Sequence, residues 1–317
     1  MDKKIPVIID TDPGIDDAVA LMTAFSLAQL DIKAVITVAG NVGIEKVTAN
    51  ARAVLSTLGI KNKIYSGARG PLMGADVIEA PEAHGVSGLG AYSLPQEKYH
   101  PLEKENGLEA YRQILEAADE PITIIAVGPL TNVALLIKAY PHLMAKIKQI
   151  SIMGGGLYTG NHTPAAEFNI LADPEAAEIV YQSGLPIIMA GLDITHQAKI
   201  FSHHVDKIKA MGTDVSDMVS TILSFYFEKF EGEEKLSRYV CMHDTVAVLA
   251  VVYPEIFEGE NLHVVVETSG KYCRGYTLAD RRKQESNKQP ANCYVLMSLD
   301  YDKLIEEIMK AVGFYKN

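Results

Sequence analysis

Cysteine is scarce. The chain holds three, Cys241, Cys273 and Cys293, an odd number at spacings that match no metal or redox motif. Reduced thiols in a cytoplasm are the expected state. Long apolar runs are missing too. No stretch is long enough to span a bilayer, and the run Ile5 to Ile9 after Met1-Asp2-Lys3-Lys4 is too short for the apolar region of a signal peptide. A membrane is therefore not expected as a partner, and a cytoplasmic location is. Basic residues are outnumbered, 29 Lys and Arg against 40 Asp and Glu, for a net charge of −11. An acidic surface repels phosphate backbones, which sets nucleic acid aside. An uncharged small substrate suits this balance, and so does a cation. Linkers, low-complexity tracts and internal repeats are absent. With 48% hydrophobic residues over 317 positions, a sizeable core can form without staples. One domain over residues 1–317 is the simplest organisation.

What is present is an alternation of short β-branched runs with helical patterns. Ile5–Ile9, Ile32–Val38, Ile122–Val127, Ile150–Met153 and Pro186–Ala190 read as strands, apolar on both faces as buried parallel strands are. Asp16 to Leu30 carries helical spacing, and Asn106 to Ala118 places Leu108, Tyr111, Leu115 and Ala118 on one stripe. Asn106 with Glu109 has the spacing of a capping pair, and Asp173-Pro174 reads as an N-cap followed by proline at the first helical position. Helical patterns dominate from Phe201 to Phe230. A strand near Leu262–Glu267 and a helix near Tyr301–Val312 follow. The expected fold is α/β, with a mainly parallel (mixed) central sheet flanked by helices. In such sheets ligands bind at the carboxyl ends of the strands. The Gly- and Pro-rich segment Ser66 to Pro101 reads either as a lid or as an irregular connection.

The first strand ends in Asp10-Thr11-Asp12-Pro13-Gly14-Ile15-Asp16-Asp17. Packed like charges disfavour their own ionised forms unless a cation compensates. Oxygen ligands with no His or Cys nearby point to Ca²⁺ or Mg²⁺. Pro13 and Gly14 turn the chain so that Asp12 and Asp17 can face each other. The bland alternative is Asp16 as a helix cap with the other acids solvated. An EF-hand fails, because the twelfth position from Asp10 is Leu21 where Glu is needed. A haloacid-dehalogenase-type, Mg²⁺-dependent phosphatase accounts for Asp10 and Asp12 only.

The segment Asp10 to Ala18 resembles the signature of the inosine–uridine nucleoside hydrolase family. Later segments agree in order: Val38-Ala39-Gly40-Asn41, Gly128-Pro129-Leu130-Thr131-Asn132, Met153-Gly154-Gly155-Gly156, Glu167-Phe168-Asn169, Gly191 to His196, and His243-Asp244. The resemblance implies hydrolysis of the N-glycosidic bond of inosine- or uridine-type ribonucleosides. It implies a Ca²⁺ ion held by Asp12, Asp17, the Val127 carbonyl and Asp244, with Asp12 as the base that activates a calcium-bound water. His243 and His84 become candidates to protonate or hydrogen-bond the leaving base. Asp16, Asn41, Met153, Asn161, Glu167, Phe168 and Asn169 become the substrate contacts, and His196 a supporting residue. Family members form homodimers or homotetramers.

Several of these residues also have a reading of their own. Glu167 and Asn169, two apart, point the same way if the backbone is extended. Asn41 and Asn161 alone are equally turn residues. Gly154-Gly155-Gly156 lacks the dinucleotide spacing, since Thr159 stands where the last glycine belongs, and permits close backbone approach. Asp244, opening an apolar helical run, is also a candidate N-cap. In several family members a tyrosine before the His-Asp pair reaches the base. Phe230 aligns there and cannot donate a proton, which leaves Tyr226, Arg238 or Tyr239 as substitutes. The remaining rival is a non-catalytic, Ca²⁺-dependent ribose-binding protein.

Overall fold

The β-branched N-terminal run forms β1 (Ile5–Thr11), followed by α1 (Ile15–Ser26), β2 (Leu30–Thr37), α2 (Ile44–Thr57) and β3 (Ile64–Ser66). An irregular segment with the short α3 (Pro81–His84) leads to α4 (Gly107–Glu116), β4 (Ile122–Ala126), α5 (Thr131–Ala139) and β5 (Ile147–Met153). Then come α6 (Phe168–Ala172), α7 (Pro174–Tyr181), β6 (Ile187–Ala190), α8 (Leu192–Thr195), β7 (Lys199–Phe201), α9 (Ser202–Lys209) and α10 (Asp214–Lys229). The last part holds β8 (Tyr239–Cys241), α11 (His243–Val252), β9 (Phe257–Leu262), β10 (Val264–Val266), β11 (Thr277–Ala279), β12 (Cys293–Leu299) and α12 (Tyr301–Phe314). This computed structural model describes residues 3–74, 77–229, 239–282 and 289–316. Phe230 and Arg238 lie outside the described residues.

Eight strands form one sheet in the order β3-β2-β1-β4-β5-β6-β12-β9. All neighbours are parallel except β12 with β9. The α/β architecture expected from the strand–helix alternation is therefore present. Val7 and Ile9 enter a core shared with α1, α10, α11 and α12, while Ile8 enters a second core with α4, α5 and α7. Burial on both faces is why these strands are apolar throughout.

From β1 the chain winds outward to β2 and β3, then returns to β4 and builds β5 and β6 on the other side. The direction of winding thus reverses between β1 and β4. Their carboxyl ends open the crevice where ligands bind in sheets of this kind.

Both predicted caps are formed. Asn106 Oδ1 accepts from Glu109 N at 2.9 Å, and Asp173 Oδ1 accepts from Ala176 N at 3.1 Å with Pro174 opening α7. Three expectations are corrected. Helix α1 stops at Ser26, not Leu30, because Leu27 turns extended and Leu30 opens β2. The single strand expected near Leu262–Glu267 is two, β9 at the edge of the main sheet and β10 paired antiparallel with β11. Strand β12, unforeseen, inserts between β6 and β9. Among the described residues, no helix is long and apolar enough to cross a membrane.

Candidate active site

The turn after β1 is built around Asp17. Its Oδ1 accepts from Thr11 Oγ1 at 2.5 Å and from Asp12 N at 3.2 Å. Its Oδ2 accepts from Gly14 N at 3.0 Å and from Asn41 Nδ2 at 3.0 Å. Gly14 is the N-cap of α1, and Asp17, three residues on, accepts its N–H as in a capping box. Asn41 also donates its backbone N–H to Asp12 Oδ2 at 2.7 Å and its side chain to Asp12 O at 3.1 Å. The lone asparagine after β2 is thus a clamp on the acid turn.

Asp16, Asp17 and Asp244 bring carboxylate oxygens within 4.8 Å of one another. Asp12 lies close enough for its charge to bear on Asp17 and Asp244. Asp244 is the second residue of α11, whose N-cap is Met242, so the N-cap reading of Asp244 is corrected. Burial, then repulsion among these acids, pushes Asp12 and Asp244 well up and Asp16 up to about 8. Burial also raises Asp17, against its hydrogen bond from Thr11. Asp12 Oδ1 is buried with no hydrogen-bond partner. A buried, unpaired carboxylate oxygen beside three other acids is costly unless a cation takes it up. This set of hard oxygen donors therefore fits a hard divalent cation.

Asp10 is not part of this group. It is fully buried, with Oδ2 accepting from Tyr111 Oη at 2.9 Å and from Asn132 Nδ2 at 3.0 Å. It does not line the cavity. A phosphatase nucleophile must reach its substrate, so the dehalogenase-type reading loses its central residue.

The acid turn opens into a cavity of about 1260 Å³. Of the candidate residues, Asp16, Asn41, His84, Val127, Met153, Asn161, Glu167, Phe168, Asn169, His243 and Asp244 line it. Asp12 and Asp17 stand behind that wall. Glu167 is the N-cap of α6, not part of an extended segment. The two-residue argument for Glu167 and Asn169 is therefore corrected, although both side chains still reach the site. Glu167 accepts from Asn169 N at 2.9 Å, Ile170 N at 3.1 Å and Gly155 N at 2.9 Å. Burial raises it to about 7 against these donors. Asn169 Nδ2 donates to Val127 O at 3.0 Å and Met153 O at 3.1 Å, which leaves its Oδ1 to accept. Asn161 Oδ1 accepts from Phe168 N at 2.9 Å, which leaves its amide hydrogens to donate. The glycines approach protein rather than open space. A Cβ on Gly155 would lie 2.7 Å from both Met189 Cε and Thr277 Oγ1.

Both histidines reach the cavity as neutral rings. Burial drives His84 down to about 4 and His243 down to about 3. His84 Nδ1 accepts from Ile15 N at 3.1 Å and lies 4.0 Å from Asp16 Oδ1. The irregular Ser66–Pro101 segment thus delivers a side chain into the site. The Tyr226 hydroxyl is 3.2 Å from His84 Nδ1. His243 Nδ1 hydrogen-bonds Thr195 Oγ1 at 2.8 Å, and the His196 ring lies 5.8 Å from that of His243. Tyr226 and Tyr239, two of the three proposed substitutes for the missing tyrosine, line the cavity. The one sequence signal for Thr195 and Asn132 is that they fall inside the segments Gly191 to His196 and Gly128 to Asn132.

The description "inosine-uridine preferring nucleoside hydrolase" belongs to the family model that matches residues 7–306. The pyrimidine-specific ribonucleoside hydrolase RihA of Citrobacter koseri is 40% identical over 98% of this chain and 99% of its own. That of Enterobacter sp. is 41% identical over 95% of this chain and 96% of its own. The solved structure of a purine-preferring ribonucleoside hydrolase from Gardnerella vaginalis superposes with a TM-score of 0.89 at 26% identity, covering 97% of this chain and 98% of that one. A plant nucleoside hydrolase, 29% identical, gives 0.89 over 98% and 99%. The chain belongs to the inosine–uridine preferring nucleoside hydrolase family and is an N-glycosidase of ribonucleosides.

Proposed function

We propose that the chain, acting as one hydrolase domain, is a calcium-dependent hydrolase of uridine- and inosine-type ribonucleosides, with Asp12 as the base that activates water. The observation that carries this is the buried, unpartnered Asp12 Oδ1, whose carboxylate lies near enough to Asp16, Asp17 and Asp244 to feel their charge, just behind the wall of a cavity lined by Asp16, Asn41, Asn161, Glu167, Asn169 and Asp244. Asp12, Asp17, Asp244 and the Val127 carbonyl would hold Ca²⁺. When bound, the ion supplies a water of lowered pKa and a hold on the ribose diol. Calcium perturbs water less than zinc does, so a carboxylate base is still needed.

Cleavage develops positive charge on the ribose. The carboxylates of Asp16 and Glu167 stabilise that charge. Asn41 holds Asp12 Oδ2 with its backbone N–H and so orients the carboxylate that takes the proton of the attacking water. Asn161, Glu167 and Asn169 offer donors and acceptors to the ribose hydroxyls, with Met153 and Phe168 as apolar walls. Thr195 occupies His243 Nδ1, so its Nε2 is turned to the leaving base, with His84 beside it. The substrate assignment takes its support from the pyrimidine-specific relatives. Incubation with uridine and inosine, with and without a chelator, tests the reading. Reducing sugar without phosphate is expected, only when divalent metal is present. Activity that persists after exhaustive chelation overturns it.

A further inference from the structure

Besides the acid turn, Glu167 and Asn169, the cavity is lined from strands β7 and β8, which pair antiparallel and set Lys199 opposite Cys241. His243 precedes Asp244 at the start of α11, the His196 ring lies 5.8 Å from that of His243, and Cys241 Sγ lies 3.9 Å from His196 O. Lys199, His196, Tyr239 and Cys241 all line the cavity there. Among the described residues that line it, Lys199 is the one Lys or Arg.

The ammonium is held against an aromatic ring. Lys199 Nζ sits 4.2 Å from the centroid of the Tyr239 ring, in reach of a cation–π attraction. Phe201 packs edge-on against Tyr239 at 6.0 Å, and His203 stacks on Phe201 at 5.9 Å. No ion pair joins Lys199 to a carboxylate among the described residues. A cation positioned on an aromatic face at the cavity wall can donate to a ligand there.

We propose that Lys199 selects the leaving base, donating a hydrogen bond to a carbonyl oxygen on its outer edge, so that oxo-bases such as uracil are cleaved in preference to amino-bases such as cytosine. This rests on the functional reading above, which places the base at the His243 end. In the step, the C1′–N bond breaks and its electron pair leaves on the base. The water oxygen bonds C1′, and its proton passes to Asp12 and then to the released base. In uracil the displaced charge spreads onto the carbonyl oxygens, where an ammonium stabilises it. Lysine donates and cannot accept, so an exocyclic amine at that edge meets a donor facing a donor.

The test compares kcat/KM for uridine, cytidine and p-nitrophenyl riboside in the wild type, Lys199→Met and Lys199→Arg. Methionine keeps an apolar stem over Tyr239 and removes the charge. A hydrogen bond from a charged group makes a loss of roughly tenfold or more the expected scale. The uridine-to-cytidine ratio should therefore fall about tenfold in Lys199→Met and be largely kept in Lys199→Arg. The aryl riboside, whose leaving group needs no help, should lose least. A ratio within one variant is insensitive to partial misfolding. An unchanged ratio in Lys199→Met, with uridine still cleaved, overturns this inference alone. A wild type that releases no ribose from any of the three overturns the functional reading, and this inference with it.

Discussion

Asn41 donates its backbone N–H to Asp12 Oδ2 at 2.7 Å, and the other oxygen of that carboxylate is buried with no partner. One oxygen is fixed by the protein and the other meets no protein donor. A general base typically contributes roughly 10²–10⁴-fold. Asp12→Asn is expected to lose at least that much in kcat while keeping its far-ultraviolet circular dichroism. Near-wild-type turnover by this variant would refute Asp12 as the base.

The side chain of Asn41 bridges Asp12 O and Asp17 Oδ2. Groups that orient metal ligands typically change metal affinity or activity by about 10–100-fold. Asn41→Ala should raise the calcium concentration for half-maximal activity by about that factor, with a smaller loss in kcat at saturating calcium. A calcium titration of initial rates measures both. An unshifted midpoint would mean that Asn41 serves only the sugar.

The acid turn also makes a statement about stability. In the unfolded chain Asp and Glu ionise near pH ~4, whereas folding holds protons on Asp16 to about 8 and on Asp10 and Glu167 to about 7. Through the interval between these values the folded state binds more protons, so stability rises as pH falls. The buried histidines oppose this, because folding drives His84 down to about 4 and His243 down to about 3. Their opposition begins only below the unfolded value of about 6.5. The metal-stripped protein should therefore gain thermal stability as pH is lowered from roughly 8 to 6.5. Saturating calcium should flatten that slope, because it favours the ionised acids. Melting curves across this range decide it, and a stripped protein that loses stability on acidification contradicts the burial argument.

Gly155 takes φ +79°, and its N–H is one of the three donors on Glu167. Gly155→Ala meets both Met189 and Thr277 and adds backbone strain of order 1–3 kcal/mol. A lower melting temperature together with a raised KM for uridine is expected. A lower melting temperature with unchanged KM would separate the glycine from Glu167.

Much of this was legible because each signal was local. The β-branched runs at Ile5, Ile122 and Ile150 are buried on both faces, and a strand of that kind needs no partner to be read. The acids of the turn are adjacent in the chain, so their repulsion could be argued before any fold. Long-range pairing was not legible. Strand β12 is placed by its neighbours β6 and β9, far away in sequence. The extended geometry assumed for Glu167 and Asn169 failed because Glu167 caps a short helix, and side-chain capping competes with strand-like backbone. Asn41 read equally well as a turn residue, since its bonds to Asp12 and Asp17 cross to a different strand end. Lys199 carried no motif at all, and its place in the cavity comes from the pairing of β7 with β8.

His243 and the leaving base make the last expectation. Its Nδ1 is engaged by Thr195, and burial keeps the ring neutral down to about 3. At neutral pH it therefore meets the base as a hydrogen-bonding imidazole and not as a charged acid. Such help matters most when the leaving group is poor. His243→Ala should slow inosine far more than p-nitrophenyl riboside, whose phenolate departs unaided. Thr195→Val should produce a milder form of the same pattern, because the ring is then present but not oriented. Equal losses on both substrates in His243→Ala would assign the residue to the metal site beside it, through Asp244, and not to the leaving group.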